Sequence, residues 1–144
     1  MANTGVSFDA SHSRSTDPGP FARLMNSCSA DAADVVRTVQ RLVLHKLFVE
    51  SRNVEPPEGN TDDVEIRAVH GMVRRILDRD ARPLADARPP GQRFIGVCSH
   101  YALLACSIMR HHGVPSRLRV GFASYFGPEL HVDLALPRGV SPRR

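Results

Sequence analysis

The stretch Phe94–Phe122, FIGVCSHYALLACSIMRHHGVPSRLRVGF, does most to limit what this chain can fold into. A short apolar run, Phe94 to Val97, meets a helix that starts near Cys98. Tyr101, Leu104 or Ala105, Ile108 and Met109 recur at helical spacing, which predicts a buried face. Gly113 supplies the helix stop and Pro115 prevents continuation. Beyond it, Leu118, Val120 and Phe122 alternate with Arg117, Arg119 and Gly121, the pattern of a half-buried strand. A buried helix that opens at a cysteine and feeds an amphipathic strand needs helices around it and a sheet beneath it, an α+β arrangement.

The remaining chain supplies those helices. Its 144 residues, 42% apolar and 24% charged, are enough for one domain with a packed core. Residues 1–20 are rich in Ser, Asp, Gly and Pro and read as a flexible leader, leaving 21–144 as a single domain. A first helix is expected over Asp31–Glu50, capped by Ser29, with Asp31 and Asp34 near its positive end. Val35, Val39, Leu42, Val43 and Leu47 mark its apolar face, and His45 reads as a packed or surface histidine. EPPEGN (55–60) breaks the chain. A second helix is expected over Asp62–Asp80, where Asp62 and Glu65 have capping-box spacing. Its core stripe is Val69, Met72, Val73, Ile76 and Leu77, with Glu65, Arg67, Arg74, Arg75 and Asp78 as a solvated face. The proline-rich linker ARPLADARPPGQ (81–92) excludes regular structure.

Several function classes drop out. No run approaches the ~20 apolar residues of a membrane span, and the N-terminus lacks an apolar signal core, so a cytoplasmic protein without a membrane partner is expected. The net charge is +4, yet the basic residues are scattered among acids and Lys46 is the only lysine, which argues against a nucleic-acid partner. Cys28, Cys98 and Cys106 form no CxxC pair and have no zinc-ligand spacing, so reduced thiols are expected. Cys98 differs from the other two by its place at a helix N-terminus. There backbone N–H groups and the helix dipole favour a thiolate and can stabilise an oxyanion. Gly96 lets the backbone approach closely. Cys106, two turns into the helix, reads as a small buried hydrophobe, and nothing around Cys28 suggests reactivity.

Gly96 and Cys98, then Gly113, Val114, Pro115 and Arg117, then Gly121 and Phe122 resemble the nucleophile segment of the transglutaminase-like family of papain-like thiol enzymes. That family places Gly-x-Cys at the start of a central helix, ends the helix at Gly-(Ile/Val)-Pro-x-Arg, and runs into a strand ending Gly-(Phe/Tyr). The resemblance spans about residues 92–126. It implies a transglutaminase-like core with helices packed on a small, incomplete antiparallel sheet. It also implies a Cys–His–Asp triad that passes an acyl group from a peptide or carboxamide, through a thioester, to an amine or water, with no metal and no cofactor.

The candidate catalytic set is Cys98 as nucleophile, His131 as base and Asp133 as its orienter. Gln92, ahead of Cys98, is the candidate oxyanion donor. His131 is the only histidine beyond the Cys98 helix, and on one strand residues i and i+2 share a face. His100 faces away from Cys98 and offers no substitute base, while His111 and His112 sit at the negative end of the helix and read as structural. The family's base is commonly followed by Trp, and this chain has none. The last residues, LALPRGVSPRR (134–144), lack an alternating strand pattern. Written in GC-rich codons with two bases restored, Leu134–Gly139 becomes His-Trp-Leu-Cys-Arg-Glu, which would put a His-Trp pair directly after Asp133. The expectation is therefore a C-terminally truncated chain read out of frame over 134–144. The alternative function is a catalytically inactive remnant, or a non-enzymatic interaction domain of the same fold.

Overall fold

A computed structural model describes residues 9–57, 60–123 and 132–139. Four helices, α1 (Ala32–Leu42), α2 (Lys46–Ser51), α3 (Val69–Arg79) and α4 (Cys98–His111), alternate with strands β1 (Val43–His45), β2 (Phe94–Gly96), β3 (Ser116–Ala123) and β4 (Val132–Gly139). Turns of 3-10 helix cover Gly19–Ser27, Asn60–Glu65 and Pro90–Gln92. The architecture is α+β, as the sequence implies.

Helix α4 is the centre of the molecule. Leu104, Ala105, Ile108 and Met109 are buried as the spacing predicts, and so are His100, Ala102, Cys106 and Ser107 on its other faces. A helix buried nearly all round must be covered on every side. Helices α1 and α3, the Gly19–Ser27 turn and strands β3 and β4 all pack on it. Met25, Val35, Val39, Leu42, Met72, Ile76, Phe94, Leu104 and Ile108 share one core cluster.

The helix ends as its sequence demands. Gly113 adopts φ +75°, the left-handed conformation open to glycine. Its N–H donates to Arg110 O at 2.9 Å, and Val114 N–H donates to Met109 O at 2.9 Å. These two bonds form a Schellman cap. Gly113→Ala is expected to cost about 1 kcal/mol, because a Cβ there meets no neighbour and only backbone strain is added. A urea titration checks this, with a reduced midpoint at unchanged slope as the expected result.

Six expectations need correction. The first helix does not run unbroken over 31–50. It stops at Leu42, and Val43, Leu44 and His45 pair in parallel with Phe94, Ile95 and Gly96. Val43 and Leu44 are 1% and 2% exposed, so successive residues are buried on opposite strand faces. An apolar run of this kind reads equally well as buried helix or buried strand. Asp31, not Ser29, caps α1, its Oδ1 accepting from Ala33 N and Asp34 N. Ser29 Oγ accepts from Asp31 N instead.

The second helix begins at Val69 after an Ala68 N-cap, and Asp62 and Glu65 lie in a separate 3-10 turn. Arg75 does not belong to a solvated face, since it donates to the buried Asp63. The leader is also packed from Asp9 onward. Thr16 is buried, Val69 N donates to Ser15 O, and Ser107 Oγ donates to Thr16 O at 2.6 Å. The tail forms a strand after all. Residues 132–139 pair antiparallel with β3, from Ala123↔Val132 to Ser116↔Gly139. Among the described residues β4 borders only β3, and an edge strand tolerates Pro137 where a central one would not.

The 81–92 linker has no regular structure apart from its final 3-10 turn. It is nevertheless held in place by the buried Arg88. The Arg88 guanidinium donates to the carbonyls of Pro83, Asp86, Asp80 and Arg82.

Candidate active site

The parallel pair β1–β2 sets the site. Its register brings His45 alongside Gly96, so both strands end together at the point where α4 begins. Cys98 is the first residue of α4 and is partly exposed, whereas Cys28 and Cys106 are buried. Burial pushes both of those thiols up from their ordinary pKa, which keeps them protonated and inert. Cys98 is therefore the one of the three cysteines whose side chain is not buried. Val97, the N-cap, makes no side-chain cap bond.

The first turn is tied down from within. His100 Nδ1 accepts from Val97 N at 3.0 Å, and its Nε2 lies 3.1 Å from Ile66 O. His100 thus takes the part that Glu plays in a capping box, and it ties the residue before Cys98 to the loop ahead of α3. His100 is held by the residue before the cysteine and by Ile66, and neither of these bonds goes to Cys98 itself. Its ring sits 5.3 Å from Phe94, and a Cβ added at Gly96 would come within 3.0–3.2 Å of it. Gly96 is required by this close approach.

One turn beyond Cys98, Tyr101 donates its hydroxyl to Val43 O at 3.0 Å. The His45 ring stacks near Tyr101, with centroids 6.4 Å apart, and His45 Nδ1 accepts from Leu47 N at the start of α2. Burial and the nearby Lys46 lower the His45 pKa, so its ring is neutral at physiological pH. His45, placed by the sequence on a helix, instead stands at the strand end facing the α4 side.

Beneath β2 lies a buried ionic hub that the sequence reading missed. Asp63 is fully buried. Its carboxylate accepts from Arg79 through both oxygens, at 2.6 and 2.9 Å, from Arg75 at 3.1 Å, and from the Ile95 amide at 2.9 Å. The spacing of Arg75 and Arg79, four residues apart on one helix face, is the signal that could have found it. The hub fixes the strand that delivers Cys98.

The other candidates are more loosely placed. Gln92 is exposed in the Pro90–Gln92 turn. Asp133 lies on β4 opposite Phe122 of β3, and β4 packs on α4. His131 lies outside the described residues. His111 Nε2 is 2.7 Å from Asn26 Oδ1, a surface contact at the far end of α4. A cavity of about 150 Å³ adjoins the α4 N-terminus, lined by Ser99, His100, Leu103, Ile66, Arg67 and Leu118 together with Ser15. A larger one of about 410 Å³, around Leu24, Leu77 and Leu84, holds no Cys, His or carboxylate in its lining. Among the described residues no three His, Cys, Asp or Glu side chains cluster as metal ligands, and no helix is long and apolar enough to cross a membrane.

A search of curated proteins and a search of solved structures each returned no match. The family model described as the transglutaminase-like superfamily matches residues 58–132. That span is more than half of the 144-residue chain and takes in the Asp63 hub, α3, β2, the Cys98 helix and β3. The matched residues and the cysteine-headed central helix agree: the chain belongs to the transglutaminase-like superfamily.

Proposed function

We propose that this domain is a thiol enzyme that carries out acyl transfer or amide hydrolysis through a thioester on Cys98. The observation that carries this reading is the place of Cys98: a partly exposed thiol at the head of a buried helix, in a chain whose other two cysteines are buried. In the reaction His131 accepts the thiol proton and Asp133 orients it. Sγ attacks the carbonyl carbon of a carboxamide or peptide, and the amides at the start of α4, assisted by Gln92, hold the oxyanion. The C–N bond then breaks and His131 returns the proton to the leaving ammonia or amine. Water or an amine attacks the thioester, restoring the thiol. The chemistry uses no metal and no cofactor, and reduced thiols suit a cytoplasmic protein without nucleic-acid or membrane partners.

The absence of Trp from the chain favours a second reading, an inactive remnant or interaction domain of the same fold. In that reading 134–144 are out of frame, and the family's base belongs directly after Asp133. Resequencing the coding DNA across codons 130–144 separates the two, because a neighbouring frame that continues Asp-His-Trp identifies the remnant. The activity itself is tested by ammonia release from a glutamine-containing peptide, with a primary amine present and absent. Release by the full chain supports the thiol-enzyme reading, and release no faster than the blank contradicts it.

A further inference from the structure

We infer that His100 is a positioning residue that holds the nucleophile turn only as a neutral imidazole, and that protonating it releases Val97 and loosens the seat of Cys98. The proposal rests on the thiol-enzyme reading only in its last link, the use of Cys98 as nucleophile.

The ring's two partners dictate its state. An amide N–H can only donate and a carbonyl can only accept. With Val97 N at Nδ1 and Ile66 O at Nε2, the one ring form that satisfies both is neutral with its proton on Nε2. An imidazolium carries a proton on each nitrogen and would set Nδ1–H against Val97 N–H. His100 is 4% exposed, so water cannot replace the lost partner without opening the turn. The ring also cannot shift toward the strand, because it already lies against Gly96 and Phe94.

Three charged or titratable groups face it from the packed elements. Asp63 in the 60–65 turn favours the imidazolium, but it is shared with Arg75 and Arg79. Arg67 in the following loop and His45 at the end of β1 oppose it. Burial is the largest influence and lowers the His100 pKa from its ordinary 6.5. The fold therefore prefers the neutral ring. Its stabilising contribution is complete above the unfolded value and is lost as pH falls from there through the folded one.

The test uses the full chain. Long-range ¹H–¹⁵N spectra at pH 7.5 read the tautomer of His100, with the Nε2–H form expected. Iodoacetamide labelling between pH 5 and 8, with peptide-resolved mass spectrometry, reads Cys98. After correction for the pH dependence of free cysteine labelling, the wild type is expected to show a further loss of about fivefold on the acid side, as one hydrogen bond is given up. His100→Asn, whose Oδ1 can accept from Val97 N but does not titrate, should label like the wild type at pH 7.5 and lack the acid step. His100→Leu should label about fivefold slower at pH 7.5. If His100→Leu fails to fold by circular dichroism, the tautomer and His100→Asn decide. An Nδ1–H tautomer, or an unchanged acid step in His100→Asn, overturns the proposal. These readouts do not depend on turnover, so a chain that passes them yet releases no ammonia sinks the thiol-enzyme reading and leaves the positioning role standing.

Discussion

Asp63→Ala is expected to lower the unfolding free energy by ~3–5 kcal/mol, a large share of the ~5–15 kcal/mol typical of a domain. The carboxylate is fully buried and receives four hydrogen bonds, three from guanidinium groups and one from the Ile95 amide. Removing it leaves Arg79, whose side chain is 9% exposed, without its counter-charge. It also leaves a buried backbone donor in β2 without a partner. Among the described residues Arg79 then keeps its bond to Arg93 O, a poor substitute for a bidentate carboxylate. Asp63→Asn keeps one acceptor oxygen and should fall between the two, so the pair of variants separates charge from connectivity. Urea unfolding monitored by circular dichroism measures both. A loss below 1 kcal/mol for Asp63→Ala would contradict the assignment of Asp63 as the strut under β2.

Cys98→Ala is expected to reduce carboxamide turnover by at least ~10³-fold while leaving stability within about 1 kcal/mol of the wild type, since the thiol is partly exposed at a helix start. The contrast with the other cysteines makes the result informative. Cys28→Ala and Cys106→Ala remove buried sulfur from the core and should lower stability with little change in turnover per folded molecule. Losing activity only at position 98 would tie the chemistry to the head of α4. Equal loss at all three positions would point to folding instead.

The sequence made α4 legible because helix spacing, the Gly113–Pro115 stop and the alternation over 117–122 all agree on one arrangement. It misled at Val43–His45, where consecutive apolar residues suit a helix as well as a buried strand, and only pairing with Phe94–Gly96 decides. Asp63 went unmarked within the expected Asp62–Asp80 helix, because its partners lie on α3 and on β2, distances that local patterns do not encode. His100 followed the same logic. Its capping bond to the Val97 amide and its contact with Ile66 O, in a distant part of the chain, leave no mark in a local pattern. Over 134–144, the two prolines and three arginines hid a strand that edge placement permits over Leu134–Gly139. The place of Cys98 at the start of α4 was readable, because the onset of a helical stripe is a local pattern.

The most direct test of the central claim is the mass of the acid-quenched protein after brief mixing with a glutamine-containing peptide. The account predicts a covalent adduct equal to the peptide less ammonia, located on Cys98, absent in Cys98→Ala, and discharged by added hydroxylamine. No adduct, or one that persists in Cys98→Ala, would contradict it.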